Sequence, residues 1–168
     1  FNTSKKLKGD CDSRKSHINW AILDSTWEGE FCRVAEEHPK VVSYVKNHAM
    51  GFEVPYQYEG KQRRYIPDFI LKGDDGHGAD DLLNLVVEIK GYRGEEAKQK
   101  RMTMDTYWVP GVNNSGRYGR WAFAEFTNIF TMPTDLDDKI TKQKSVTDLE
   151  SSFAELLKDT MDDTNHGE

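Results

Sequence analysis

Ile66-Pro67-Asp68-Phe69-Ile70 is followed, after 17 residues, by Glu88-Ile89-Lys90. Side chains of a strand alternate between faces, so Glu88 and Lys90 leave the same side if Leu85 to Ile89 is extended. Leu82-Leu83-Asn84-Leu85-Val86-Val87 leads into Glu88 with almost no polar alternation, the pattern of a central strand covered on both faces. A half-buried strand with a wet charged face would also give Glu-Ile-Lys, but charges at the end of a doubly covered run are costly unless they have a task. Pro67 marks Asp68 as lying near the start of a strand. A neighbouring strand would then set Asp68 beside Glu88 and Lys90. Two carboxylates can share a hard divalent cation such as magnesium while an ammonium holds or polarises an attacking water, so the trio suits metal-assisted phosphodiester hydrolysis.

Outward from these residues the pattern predicts a mixed α/β domain. Ser25 and Glu28 have capping-box spacing, and Trp27, Phe31 and Val34 follow at helical intervals. Pro39 ends that helix or opens a second over Lys40 to Asn47, with Gly51 at its exit. Phe52 to Tyr58, a Glu59-Gly60-Lys61 turn and Arg64 to Lys72 read as a hairpin. The acidic, Gly-rich stretch from Gly73 to Asp81 reads as a solvated loop, since it lacks the ligand spacing of a calcium-binding hand. A helix is expected from Glu95 to about Trp108, stopped by Pro110, then a long loop and a strand over Trp121 to Thr127. Consecutive hairpin strands followed by a crossover helix imply a mixed central sheet with helices on its faces. The expected organisation is a polar lead-in over 1–19, one domain over 20–130, and an acidic, helical extension over 131–168 with Leu149, Phe153, Leu156 and Leu157 on one face.

Composition narrows the class. No run of about 18 apolar residues is present, so no membrane span is expected. Cys11 and Cys32 form no CxxC pair, which argues for reduced thiols, against zinc, and for a cytoplasmic protein. The first residue is Phe1, which reads as a piece of a longer polypeptide. Residues 131–168 hold 10 acids against 4 Lys/Arg, which accounts for the whole net charge of -6. The segment 61–121 holds 11 Lys/Arg against 9 acids, four of them in the Gly-rich loop, so a local basic surface is compatible with an acidic whole. Lys98, Lys100 and Arg101 on the crossover helix and Arg117 and Arg120 in the next loop are candidate phosphate contacts, since such side chains reach backbone oxygens without reading sequence. The competing reading is a solvated helix face in which Glu95 pairs with Lys98. Tyr92-Arg93 either contacts DNA or caps the strand, and Trp108 and Trp121 read as core residues.

Pro67-Asp68, then Glu88-Ile89-Lys90, preceded by a helix bearing Glu28, resemble the PD-(D/E)xK nuclease superfamily, whose core runs α-β-β-β-α-β. The longer string from Val87-Glu88-Ile89-Lys90-Gly91-Tyr92-Arg93-Gly94-Glu95 through Thr103-Met104-Asp105-Thr106-Tyr107-Trp108-Val109-Pro110-Gly111 to Gly119-Arg120-Trp121-Ala122-Phe123-Ala124-Glu125-Phe126 resembles the C-terminal nuclease domain of the restriction subunit of type III restriction-modification enzymes. The similarity extends from about Trp20 to Phe126, with no departure at the three core positions. It implies a restriction-endonuclease-like fold and an endonuclease that cuts duplex DNA with magnesium (Mg2+), for which Mn2+ can substitute. Asp68 and Glu88 would hold the ion with the Ile89 carbonyl, and Lys90 would orient water and stabilise charge on the phosphate. Glu28, or less well Glu30, would be the first-helix acid that reaches the metal, although Glu28 also fits as the closing residue of the capping box. The expected partners are duplex DNA, an ATP-dependent motor domain of the same polypeptide, and a modification (methyltransferase) subunit. No Walker motif occurs in these residues, so ATP would serve only that motor. Two other readings are a non-catalytic interaction module of such a complex, and a related nuclease acting on DNA junctions or transposon ends.

Overall fold

The computed structural model describes residues 15–16, 23, 25–90, 94–143, 149 and 152. These form helix α1 (Thr26–Glu37), strands β1 (Val41–Lys46), β2 (Val54–Tyr58), β3 (Lys61–Tyr65), β4 (Phe69–Gly73) and β5 (Leu83–Ile89), helix α2 (Glu95–Thr103), a π turn (Met104–Trp108), helix α3 (Val109–Asn114) and strand β6 (Trp121–Phe126). A last helix, α4, covers residues 132–143. The main sheet has the order β1-β4-β5-β6, and β2 and β3 make a separate two-stranded sheet. β4 is antiparallel to both β1 and β5, whereas β5 and β6 are parallel. The parallel pair needs a crossover, which α2, the π turn and α3 supply. With the hairpin set aside, the order is α-β-β-β-α-β.

β5 has a partner on each side because its apolar run can be buried on both faces. Leu83, Leu85 and Val87 join Phe31, Val34 and Ala35 of α1 and Met132, Leu136 and Ile140 of α4 in one core. Val86 faces the other way, where it meets Val54, Tyr56 and Tyr65 of the hairpin, Met104 and Phe123. Trp108 and Trp121 pack edge to face at 5.3 Å against this second core, as expected of core residues.

Three expectations about the elements need correction. Residues 41–46 are a strand and not a helix, because Val41 and Ser43 pair with Gly73 and Lys72 around a bulge at Val42. The run Arg64 to Lys72 is two strands in two sheets, divided at Ile66-Pro67, where proline has no N–H to donate. The hairpin turn itself is as read: Glu59 and Gly60 both have positive φ, at 52° and 70°, the geometry of a two-residue primed turn. Pro110 does not stop the crossover helix. The π turn before it lets the Val109 N–H reach the Met104 carbonyl, and the helix continues to Asn114, so the following loop is short.

The boundary at residue 130 cuts through the core. Met132, Leu136 and Ile140 recur at four-residue spacing on one side of α4 and are fully buried. Gly73 keeps room for this helix, since a Cβ there would lie 3.3 Å from Ile140 Cδ1. Leu136→Ala is expected to cost about 3 kcal/mol by chemical denaturation, and a loss below about 1 kcal/mol would contradict this packing. Of the face expected further on, Leu149 is exposed and Phe153, Leu156 and Leu157 lie outside the described residues. Most of the lead-in is also outside them, but Ser16 bridges to Tyr44 beside β1 and the Lys15 Nζ donates to the His38 carbonyl at 2.6 Å. No helix among the described residues is long and apolar enough to cross a membrane.

The acidic loop is not simply solvated. Asp75 is buried, and Arg120 donates to both its oxygens, at 2.6 and 2.9 Å, and to Asp81 Oδ2 at 2.9 Å. Burial pushes the Asp75 carboxyl up, but Arg120 and His77 overcome this and pull it down to about 2.

Candidate active site

The β4–β5 register, Phe69 opposite Val87, places Asp68 across from Glu88 at the end of the sheet. The Asp68 N–H donates to the Val87 carbonyl at 3.1 Å, and Asp68 Oδ2 accepts from the Ile89 N–H at 2.7 Å. A strand residue's N–H and C=O leave on the same edge, so the Ile89 carbonyl is directed to the Asp68 side. Glu88 is buried on the hairpin face. Its Oε1 lies 2.8 Å from Lys90 Nζ, and its Oε2 accepts from the Tyr65 hydroxyl at 2.7 Å. Asp68, Glu88 and Lys90 are therefore brought together at one strand end. The Asp68 carboxyl is pushed up to about 6, first by burial and then by Glu88, with the Ile89 N–H and Lys46 acting against them. Two carboxylates of like charge, Glu88 buried and Asp68 half-buried, stand opposite each other at this end of the sheet.

Glu28 is positioned by its local sequence and put to another use. Its N–H donates to Ser25 Oγ at 3.2 Å, the first half of the capping box. Its side chain turns inward to Lys46 Nζ at 2.5 Å, and both side chains are nearly inaccessible, at 8% and 5% exposure. Lys46 lies on the α1 face of the sheet, 5.3 Å from the Phe69 ring centre, whereas Glu88 lies on the hairpin face. Glu28 still raises the Asp68 carboxyl, so the two faces meet electrostatically at Asp68. Glu30 points elsewhere, to Arg33 at 2.6 Å.

Three further residues belong to this region and were not expected from the sequence. Tyr65, which anchors Glu88, is buried, and burial with the neighbouring Glu88 drives its hydroxyl far above the ordinary range, so it acts as a donor. Lys46 was assigned to a helix, where nothing marks it as buried. Glu125 stands opposite Glu88 in the β5–β6 register and is bridged to Arg101 at 3.3 Å. A charged residue inside the otherwise apolar run Trp121–Phe126 was the signal available for Glu125.

Among the described residues, no three His, Cys, Asp or Glu side chains are gathered into a metal-holding group. The donor chemistry nonetheless suits a hard cation. Magnesium sites commonly use one or two carboxylates, with the remainder from water and substrate phosphate. Asp68 Oδ1 makes no hydrogen bond among the described residues, and Glu88 stands opposite Asp68 in the strand register. The Asp68 carboxyl is raised first by burial and then by Glu88, a cost to its charged form that a divalent ion would offset.

The phosphate-contact candidates separate. Lys98 is exposed and bridged to Glu95 at 2.6 Å, and Arg101 is divided between Asp105 at 3.4 Å and Glu125. Lys100 lies over the Tyr65 and Tyr56 rings at 5.6 and 5.5 Å, on the side of the sheet that carries Lys90. Arg117 is exposed. Arg120 is committed to Asp75 and Asp81, at the other end of the sheet. Tyr92 and Arg93 lie outside the described residues. Comparison with protein-family models, curated proteins and solved structures gives no match.

Proposed function

We propose that the chain is a magnesium-dependent endonuclease domain that hydrolyses phosphodiester bonds of duplex DNA, the cutting module of a cytoplasmic assembly similar to type III restriction enzymes. The observation that carries this reading is the convergence of Asp68, Glu88 and Lys90 at adjacent strand ends, with Lys90 Nζ 2.8 Å from Glu88 and Asp68 raised by Glu88. A perturbed carboxylate clustered with a second acid and a lysine marks a candidate reactive site. Asp68, Glu88 and the Ile89 carbonyl would hold the ion, which when bound supplies Lewis-acid polarisation of the phosphate and an activated water. Lys90 has a hydrogen-bonding ammonium to orient that water and to balance charge developing on the phosphate. Tyr65 fixes the Glu88 carboxylate, so that the acid needs little reorganisation when substrate arrives. Lys100, over the Tyr65 ring at 5.6 Å and 3.7 Å from Glu96, is the cation best placed for the DNA backbone beside the site. ATP, the motor and the modification subunit belong to the rest of the proposed assembly.

A second reading, an interaction module without chemistry, draws on the fact that Glu28, Glu88 and Glu125 each already have a cation, as in structural ion-pair networks. Lys90→Ala in the intact assembly separates the two. On the nuclease reading double-strand cutting is lost while DNA binding and ATP hydrolysis persist. Undiminished cutting would sink it.

A further inference from the structure

The charges of the site do not balance, and the imbalance has an address. Glu88 is held by Lys90, Glu125 by Arg101 and Glu28 by Lys46, so three glutamates have three cations within bridging distance. Asp68 is the fourth acid, and among the described residues it has only a backbone N–H. Counted over the described residues, these four acids have three bridged cations, and the acid without one is Asp68. One divalent ion at Asp68 and Glu88 supplies that cation with a single charge to spare for a substrate phosphate. A second ion would put a large excess of positive charge into a buried region, at high electrostatic cost.

The place where a second ion would find a carboxylate is Glu28, on the α1 side of Asp68. That carboxylate is closed by Lys46, whose ammonium lies 2.5 Å from Glu28 Oε2 and is packed against the Phe69 ring, out of solvent. Lys46 reaches this position because the bulge at Val42 leaves Tyr44 and Lys46 on the buried side of an edge strand. A lysine so enclosed cannot leave without breaking its bridge to Glu28.

Resting on the nuclease reading, we infer that Lys46 is a built-in cation that stands in for a second metal ion, so that the site takes one divalent ion, on the Asp68 and Glu88 side. Lys46 is thus a positioning residue. It sets the number of ions without touching the reacting atoms.

The test is an ion count on the full chain without DNA, with Mn2+ as the probe, by electron paramagnetic resonance of free Mn2+ and by calorimetry. One ion is expected for the wild type and for Lys46→Arg. Lys46→Met, which exposes Glu28 to the ion, is expected to bind two. The double variant Lys46→Met with Glu28→Gln is expected to return to one. If Lys46→Met is unfolded without metal, Mn2+ is expected to restore its circular dichroism, and failure to do so overturns the inference. Two ions in the wild type, or one ion held with unchanged affinity in a folded Lys46→Met chain, also overturn it. Two ions together with DNA cleavage would remove this inference and leave the nuclease reading standing. No ion and no cleavage in the intact assembly would remove both.

Discussion

An Asp68→Asn chain is expected to lose DNA cleavage and, at the same time, to melt at a higher temperature than the wild type. The loss follows from removing a charge that the proposed reaction uses, and defects of this kind are typically about 100-fold or more. The gain follows from the same charge seen from the folding side. Asp68 is raised from 3.8 to about 6 in the folded protein, mainly by burial and then by Glu88. A carboxyl raised on folding holds its proton more tightly in the native than in the unfolded chain. Native stability therefore falls as pH rises from about 4 through 6, and is level above that. Asparagine keeps an oxygen for the Ile89 N–H and carries no charge to desolvate. The variant should equal the wild type below pH 4 and exceed it by on the order of 2 kcal/mol above pH 6, or roughly 4–8 °C in melting temperature. Added Mg2+ should raise the melting temperature of the wild type and leave the variant nearly unmoved. Melting curves at pH 4 and pH 8, with and without Mg2+, check this. Equal melting temperatures at pH 8 would contradict the buried, uncompensated carboxylate, and wild-type cutting would contradict its catalytic role.

The same residues show why the sequence revealed some of the site and not the rest. Glu88 and Lys90 were legible because a continuous apolar run is physically a strand with two neighbours, and charges at its end are conspicuous. Asp68 was legible through Pro67, which starts a strand readily and cannot continue a ladder. Lys46 was not, because the bulge at Val42 puts Val41, Tyr44 and Lys46 on the buried side at spacings of three and two. The spacing between Val41 and Tyr44 also suits a helix, and only pairing with β4 decides otherwise. Tyr65 looked like an ordinary hairpin residue, since its hydroxyl acquires meaning only when the break at Ile66-Pro67 separates β3 from β4 and folds the hairpin over Glu88. α4 was taken for an acidic tail because its charges dominate composition. Three buried side chains four residues apart outweigh them in packing.

Arg120→Ala is expected to destabilise the fold by about 3–5 kcal/mol and to leave the chemistry of folded molecules intact. Removing one partner of a buried pair strands the other, and that loss exceeds the net worth of the pair. Here the stranded group is Asp75, whose side chain is fully inaccessible and would keep only His77, at 3.0 Å. Arg120 also ties two chain segments together. Its guanidinium bridges Asp75 and Asp81 in the loop before β5, and its own carbonyl accepts from the Asn84 N–H at 2.8 Å, where β5 begins beside β6. Asn84 and Glu88 are four residues apart on one strand, about 13 Å, so this clamp and the candidate site lie at opposite ends of β5. The pH dependence has the opposite sign to that of Asp68. Asp75 is held down at about 2, so its contribution is present above about pH 4 and is lost as pH falls toward 2. The gap between wild type and Arg120→Ala should be widest near neutrality and should close on acidification, as read by denaturant titration at several pH values. DNA binding measured against salt gives the complementary check. A residue committed to Asp75 and Asp81 leaves the slope of log affinity against log salt unchanged, whereas loss of a true phosphate contact lowers it by about one. A lowered slope at undiminished stability would return Arg120 to the DNA surface and take the clamp away.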